Sequence, residues 1–404
     1  MTSSLAPDSP PALRLPHGRI KARPEDFVVE EIPAYAPSGT GEHVHIRFTK
    51  TDRTTLDAVH AIARALGCDP REAGFAGMKD KRAVATQTVS VHAPRGTKAT
   101  DIAERALSLD LQGIAVNGAV PHGNKLKPGH LVGNRFAIVV RDVPSGRLSE
   151  VSGALDRVAV EGVPNAFGAQ RFGASGDNAA RALAWLRGDE RGPRDRKILR
   201  LLWSSLQSAV FNAVLDARVR DGTWATALEG DLLKLRASGG LFVCSDVQTD
   251  RQRALAGDVS PTGPIVGVHM RAAGGAPAEL ERRVADEILG PNVDLSRARA
   301  LGEGSRRALR TWVDGLRCEY LGAEGVDRTP AETQTQAREH PDAIRRELGN
   351  GTACVRVLFV LPKGTYATTV LATAVAIDET RNQDRANQRD EEPPLEEDPD
   401  REPT

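Results

Sequence analysis

Little in this chain of 404 residues could staple it covalently or hold it in a membrane. Cysteine occurs four times, at Cys68, Cys244, Cys318 and Cys354. These lie far apart with no Cys-x-x-Cys pair, which argues against both a zinc knuckle and a disulfide framework and fits a reducing, cytoplasmic setting. No apolar run approaches the roughly 18 residues of a membrane span. Residues 1–15 also lack the basic start and apolar middle of a secretory signal. A soluble protein without a membrane partner is expected. The glycine and Lys-Ser/Thr spacing of a phosphate-cradling loop is missing, and no repeat of fixed period occurs. Net charge is absent too, with 54 basic residues against 54 acidic ones.

That zero conceals a sorting of signs. Eleven acids and four arginines fall in residues 378–404, which leaves 50 basic against 43 acidic residues elsewhere. The surplus is a mild bias toward polyanions, of a size that many domains carry without touching nucleic acid. With 40% apolar residues, the length allows two domains with ordinary cores. Residues 1–15 and 379–404 are polar, contain proline and have few aromatics, so neither offsets its ordering entropy by burial. Both are expected to be disordered, the second as an acidic tail.

Between these ends, residues 20–32 (IKARPEDFVVEEI) and 43–48 (HVHIRF) alternate as half-buried strands do, and the turn-rich APSGTGE between them suggests a hairpin. Thr54 or Thr55 caps a helix that runs to Leu66 and stops at Gly67. A short strand at 74–77, a loop at 78–82 and a longer strand at 84–91 follow. Further strands are expected at 111–120 and 135–140, with helices near 100–107 and 148–160. This order lacks strict strand-helix alternation and points to α+β with a largely antiparallel sheet. From Gly162 the texture turns helical: Asp177 caps NAARALAWL, and 197–218 is strongly periodic. Residues 354–361 then read as a strand and 365–377 as a helix, in the character of the first domain, so the helical region is read as an insertion.

One loop stands out chemically. In FAGMKDKRAVATQ a single carboxylate, Asp80, sits among Lys79, Lys81 and Arg82, after Gly77 and before a β-branched run. As a solvated turn it would do nothing. Neighbouring cations, however, keep a carboxylate ionised, the form required of a nucleophile. Loops between strands are also where scaffolds place functional groups, and Gly77 permits a sharp exit from the strand. The same cations suit phosphates.

These residues resemble the TruD family of tRNA pseudouridine synthases, whose catalytic pattern is Ala-Gly-x-Lys-Asp-x-x-Ala-x-x-x-Gln. Other segments match in the family's order: RPEDFVVEEIP with GTGEHVHI, KLKPGHLVGNRFAIVVR, GVPNAFGAQRFGASGDN, and LPKGTYATTVL. The resemblance spans about Lys21 to Ala374. It implies an enzyme that converts uridine in tRNA, typically at position 13 of the D arm, to pseudouridine without a cofactor or metal. It also implies a discontinuous catalytic domain at 16–161 and 312–378, interrupted by a TruD-type insertion domain at 162–311, with a cleft between the two. The family often continues with Arg-Glu after the leucine of its last motif, where this chain has Ala372 and Thr373.

By this resemblance Asp80 is the nucleophile, attacking C1′ of the ribose or C6 of the ring. The target nucleotide has to leave its stack to be reached. Phe27 and Phe136 are candidates to stack on it, with Phe136 favoured and Phe27 also reading as core. Asn134 is a candidate for the uracil's pairing edge, for orienting Asp80, or for a plain turn. Lys21 matches a basic position that would pair with Asp80, and Lys79 and Glu30 would join an ion-pair network around it. Gln87 and Thr86 would secure the loop. Arg82, Lys125, Lys127 and Arg171 are the phosphate-contact candidates, while Asn165, Gln170 and Arg171 would equally form a buried polar hinge. His43 and His45 alternate as metal ligands do, without a third ligand in view. The expected partner is tRNA, with no protein partner. Rival readings are a tRNA-folding chaperone without chemistry and a glycosylase that would release free uracil.

Overall fold

The computed structural model describes residues 15–173, 175–290, 293–321 and 351–379. The expected disorder at the two ends falls on residues outside these, apart from Leu15 and the final strand residue 379. The chain opens with β1 (His17–Ile20), a 3-10 turn at Pro24–Asp26, β2 (Phe27–Pro33) and β3 (His43–Thr51). Residues 20–32 are therefore not one strand. Pro24 has no N–H for a ladder, and the Asp26 carboxylate accepts from Arg23 N at 3.0 Å, bending the chain ahead of Phe27.

Next comes α1 (Thr55–Ala65), capped by Thr54, whose Oγ1 accepts from Asp57 N at 3.0 Å. β4 (Gly74–Phe75), β5 (Val84–His92), α2 (Ala99–Leu107), β6 (Ile114–His122), β7 (Leu131–Pro144) and α3 (Leu148–Glu161) follow. β8 (Val163–Pro164) leads to α4 (Asn178–Arg187), α5 (Arg196–Arg220), β9 (Leu232–Leu235), β10 (Leu241–Val243), α6 (Val247–Ala256) and β11 (Val259–Ile265). Then come α7 (Gly275–Leu289), β12 (Ser305–Ala308), β13 (Arg310–Thr311), β14 (Asp314–Leu321), β15 (Thr352–Pro362), α8 (Ala367–Leu371) and β16 (Ala376–Glu379).

The main sheet has the order β14-β15-β7-β2-β5-β3-β6, with β1 beside β7 and β16, and β4 beside β5. Among the described residues only β2–β5 and β1–β16 run parallel. The fold is α+β with a mainly antiparallel sheet, as expected. The hairpin is not formed: β5 lies between β2 and β3, parallel to the first and antiparallel to the second. Residues 34–42 are ample to cross one strand at about 4.8 Å per spacing, and β5 brings Ala85, Val89 and Val91 to the sheet's centre.

Register sets the faces, since directly opposed residues point the same way. Phe27, Val29 and Glu31 share a face with Ile138, Phe136 and Asn134 of β7, and through β15 with Val357, Phe359 and Leu361. The same face carries Val44, Ile46, Phe48 and Lys50 of β3 opposite Val91, Val89, Gln87 and Ala85 of β5. One half is covered by α3, through Val151, Ala154, Leu155 and Val158. The other half is covered by α1 and α2, through Ala58, Val59, Ile62, Ile102 and Ala106. Between these two cores runs a polar seam of Glu31, Lys50, Gln87 and Asn134. The opposite face presents Glu30, Arg47, Thr49, Thr86 and Arg135.

The segment between β8 and β13 builds a four-stranded sheet, β10-β9-β11-β12, and a helical core in which Trp203, Leu206 and Val210 of α5 meet Trp185, Leu186 and Leu289. Among the described residues α5 is long and apolar enough to cross a membrane by length and composition, which a search for unbroken apolar runs passes over. Its apolar side is occupied by this core. Asp177 stands at the cap position of α4 but gives no side-chain cap, because its Oδ1 accepts from Ser175 Oγ at 2.7 Å. β8 and β13 pair with each other, Val163 opposite Thr311 and Pro164 opposite Arg310, so the segment leaves and returns at one place. The helix expected over 365–377 shrinks to α8. Thr373 Oγ1 donates to Val370 O at 2.6 Å, and the chain passes into β16 beside β1.

Candidate active site

The loop after β4 is fastened by four groups. Lys79 N donates to Thr55 Oγ1 at 2.9 Å, and Thr55 in turn donates to Gln87 Oε1 at 3.2 Å. Lys79 Nζ donates to Glu31 Oε2 at 2.8 Å, with the two side chains 6% and 2% exposed. Lys50 Nζ donates to the backbone carbonyl of Asp80 at 2.6 Å, and Arg82 donates to the carbonyl of Ala22. So secured, the loop presents one carboxylate outward. Asp80 is 51% exposed, with Lys21 Nζ 3.3 Å from its Oδ1.

Lys21 is 17% exposed and its ammonium lies 4.5 Å from the centroid of the Phe27 ring. Its φ of +56 places it in the left-handed region, uncommon for a side chain of this kind and the sort of backbone strain that collects at functional sites. Behind it stands a row of rings. Phe27 meets Phe136 edge-on at 6.1 Å, and Phe136 stacks on Phe359 at 5.3 Å. All three are buried, Phe136 at 7% exposure. Phe27 is thus a core ring under Lys21, not an open platform, and Phe136 already has one face covered. Phe359, which sequence reasoning did not single out, completes the row.

Asn134 sits opposite Glu31 on one side and Leu361 on the other. Its buried Oδ1 and the buried Nε2 of Gln87 have no hydrogen-bond partner among the described residues. Gly133 is required beside it, because a Cβ there would lie 2.2 Å from Leu361 O, where β7 and β15 close up. Gly77 is different: its φ is not left-handed, and a Cβ would meet only Lys79 Nζ at 3.7 Å. The sharp exit expected from it is not what shapes the loop.

The expected ion-pair network is redistributed. Lys79 is a buried strut to Glu31. Glu30 points to the other face, where it pairs with Arg47 and Arg135 at 2.7 and 2.6 Å. Thr86 also turns that way and bonds Thr49 Oγ1 at 2.8 Å, leaving Gln87 to hold the loop. Lys50 was missed, although its signal is present: in HVHIRFTKT it follows Val44, Ile46 and Phe48 on the inward side of the alternation. It is fully buried. Desolvation pushes its amine down from 10.5 to about 8, opposed by the nearby Asp80 carboxylate.

Lys125 and Lys127 lie in the turn after β6, the first half-buried and the second exposed. This turn is tied to the entrance of the Asp80 loop, with Gly129 N donating to Ala76 O at 2.8 Å and Leu126 N to Ser90 Oγ at 2.8 Å. Arg171 lies elsewhere and is engaged within the inserted segment, donating to the hydroxyls of Ser204 and Ser208. Close by, Asn165 Nδ2 donates to Ala308 O at 2.9 Å, and Arg307 stacks 4.0 Å from the Phe167 centroid. Arg171 is exposed and Asn165 half-buried; the Gln170 side chain lies outside the described residues. His45 donates to the carbonyl of Asn124 at 3.0 Å and packs against His122, while His43 packs against His92.

A hollow of about 340 Å³ opens two residues along β7 from Asn134, between Val132, Gly133, Leu361 and Pro362 on one side and Arg310 and Trp312 on the other. Asp80 does not line it. Another, of about 370 Å³, is lined wholly by the inserted segment.

A family profile described as TruD: tRNA pseudouridine synthase D (TruD) matches residues 15–190 and 194–373. The chain belongs to the TruD family. Among its TruD relatives, tRNA pseudouridine synthase D of Anaeromyxobacter sp. (strain Fw109-5) is 41% identical over 360 residues, covering 88% of this chain and 91% of the relative. A Thermus thermophilus protein of the same name is 34% identical over 366 residues, 89% of each. A solved Methanosarcina mazei structure described as tRNA pseudouridine synthase D superposes with a TM-score of 0.66 at 22% identity, covering 89% of this chain and 94% of that one. That likeness bears on the TruD fold alone. The Asp80 motif, the Gly133-Asn134 pair and the β15 aromatic all lie within the matched TruD residues.

Proposed function

We propose that this chain isomerises uridine to pseudouridine in tRNA, at position 13 of the D arm, with Asp80 as the nucleophile. The observation that carries the reading is the loop: Lys79, Lys50 and Arg82 are all spent on fastening it, and one carboxylate is left outward beside Lys21. The bond from uracil N1 to ribose C1′ breaks, the base turns, and C5 joins C1′ as its hydrogen leaves and N1 takes up a proton. Product and substrate have the same atoms and oxidation level, so the reaction needs no co-substrate. Asp80 attacks at C1′ or at C6, and is regenerated on either route. Lys21 holds the carboxylate in place. The buried Asn134 oxygen is an acceptor suited to the N3–H of a swung-out uracil, and Phe136, backed by Phe359, supplies an apolar wall.

Residues 16–161 and 312–378 are proposed as the catalytic domain and 162–311 as its insertion, with RNA contacted by Lys125 and Lys127 in a cytoplasmic setting. The test is Asp80→Asn, nearly equal in volume. Tritium release from 5-labelled uridine in tRNA should be abolished while tRNA binding persists; release near the wild-type rate refutes the assignment.

A further inference from the structure

We propose that Lys50 is a positioning residue for this reaction: its ammonium, reaching Asp80 from the core side, fixes the backbone of the residue whose carboxylate acts on the substrate. The proposal rests on Asp80 being the nucleophile. Lys50 does not reach the substrate side. It is fully buried, and its Nζ bonds the carbonyl of Asp80 at 2.6 Å. The other fastenings hold neighbours: Thr55 and Glu31 grip Lys79, and Arg82 grips Ala22. Of these fastenings, the one from Lys50 takes the main chain of Asp80 itself, while Lys21 grips its carboxylate.

Folding by itself gives no reason for a cation there. The neighbours on its face of β3 are Val44, Ile46 and Phe48, and a buried ammonium is costly unless paired. The charged groups facing it are Asp80 and Lys79 from the loop and Asp52 from the end of β3. Beyond them, Lys79 is matched by Glu31 and Asp80 by Lys21. Asp52 is exposed, and the group that the buried ammonium hydrogen-bonds is the Asp80 carbonyl.

This makes stability and turnover move in opposite directions with pH. Lys50 titrates at about 8 in the folded chain against an ordinary 10.5. Between those values the unfolded chain holds a proton the folded chain has released, so this group's contribution to stability rises with pH across that window. Turnover falls over the same range, because a neutral amine is a weaker donor than an ammonium and no longer opposes the Asp80 charge. A lysine with a packing role alone would not separate the two.

The experiment is single-turnover tritium release from 5-labelled uridine in a tRNA transcript across about pH 6.5 to 9.5, for wild type, Lys50→Met, Lys50→Arg and Asp80→Asn. Ionisation of the uracil N3–H is common to all. Arginine stays charged throughout, so the ratio of wild-type to Lys50→Arg turnover should decline through about pH 8, while the urea stability of wild type measured against Lys50→Arg, a difference in which the four thiols cancel, does not fall over that range. Lys50→Met should be about 100-fold slower at neutral pH, with tRNA affinity unchanged and no limb of its own. Should the methionine variant fail to fold, the wild-type to arginine ratio decides. A flat ratio, a Lys50→Met to Lys50→Arg ratio that declines through the same pH, or wild-type turnover in the methionine variant overturns the proposal. Inactive Asp80→Asn with any of these sinks Lys50 alone, whereas active Asp80→Asn sinks the nucleophile and the positioning role together.

Discussion

Consider removing one member of the Glu31–Lys79 pair. Both side chains are almost wholly buried and their charged atoms are 2.8 Å apart. Glu31 Oε1 also accepts from Thr88 N at 3.3 Å. Taking away one partner of such a pair strands the other charge away from water, at a cost of about 3–5 kcal/mol. Replacing both by apolar groups of similar volume strands nothing and can be close to neutral. Lys79→Met and Glu31→Leu should thus each lower stability to urea by about 3–5 kcal/mol, and the double variant by much less than their sum. Equilibrium unfolding followed by circular dichroism measures all four corners of the cycle. Turnover adds a second reading: each single variant frees the loop residue beside Asp80, and should slow tritium release even where the chain remains folded. If each single change costs under about 1 kcal/mol and the two simply add, the pair behaves as a surface ion pair, and the strut that holds this loop has been misread.

Two further outcomes follow. Lys125→Ala and Lys127→Ala should each weaken tRNA binding across sequences and reduce the slope of log affinity against log salt by about one; a slope left unchanged in the double variant removes this turn from the interface. Phe136→Leu keeps most of the buried volume and should cost about 1–2 kcal/mol of stability, yet lower turnover by more than its unfolded fraction explains; unimpaired turnover would make the ring packing only.

Local chemistry made much of this legible. Thr54 caps α1, the Asp80 loop lies between two strands, and β5 and β15 lie where β-branched and apolar runs place them. What could not be read was mostly pairing at a distance. β5 comes between β2 and β3 because of what it fills at the sheet's centre, and nothing in residues 20–48 announces that. The inward or outward aim of neighbouring residues was the second gap. Glu30 and Glu31 are indistinguishable as letters, but one step of the pleat sends the first to Arg47 and Arg135 and the second to Lys79. Lys50 shows the reverse case, an inward position that the alternation does announce, passed over because a lysine is expected outside. Proline at position 24 and the Thr373 turn ended elements that periodicity alone would continue.

The two-residue ladder of β8 and β13 has a consequence for how such a chain could change over time. Because Val163 and Thr311 are directly opposed, the entry and exit of a long excursion stand about 5 Å apart, a gap that a tight turn closes. The excursion could be lengthened, trimmed or exchanged for unrelated sequence without shifting any strand of the larger sheet by one residue. Variation in that excursion is thereby uncoupled from the register of β2, β5 and β7.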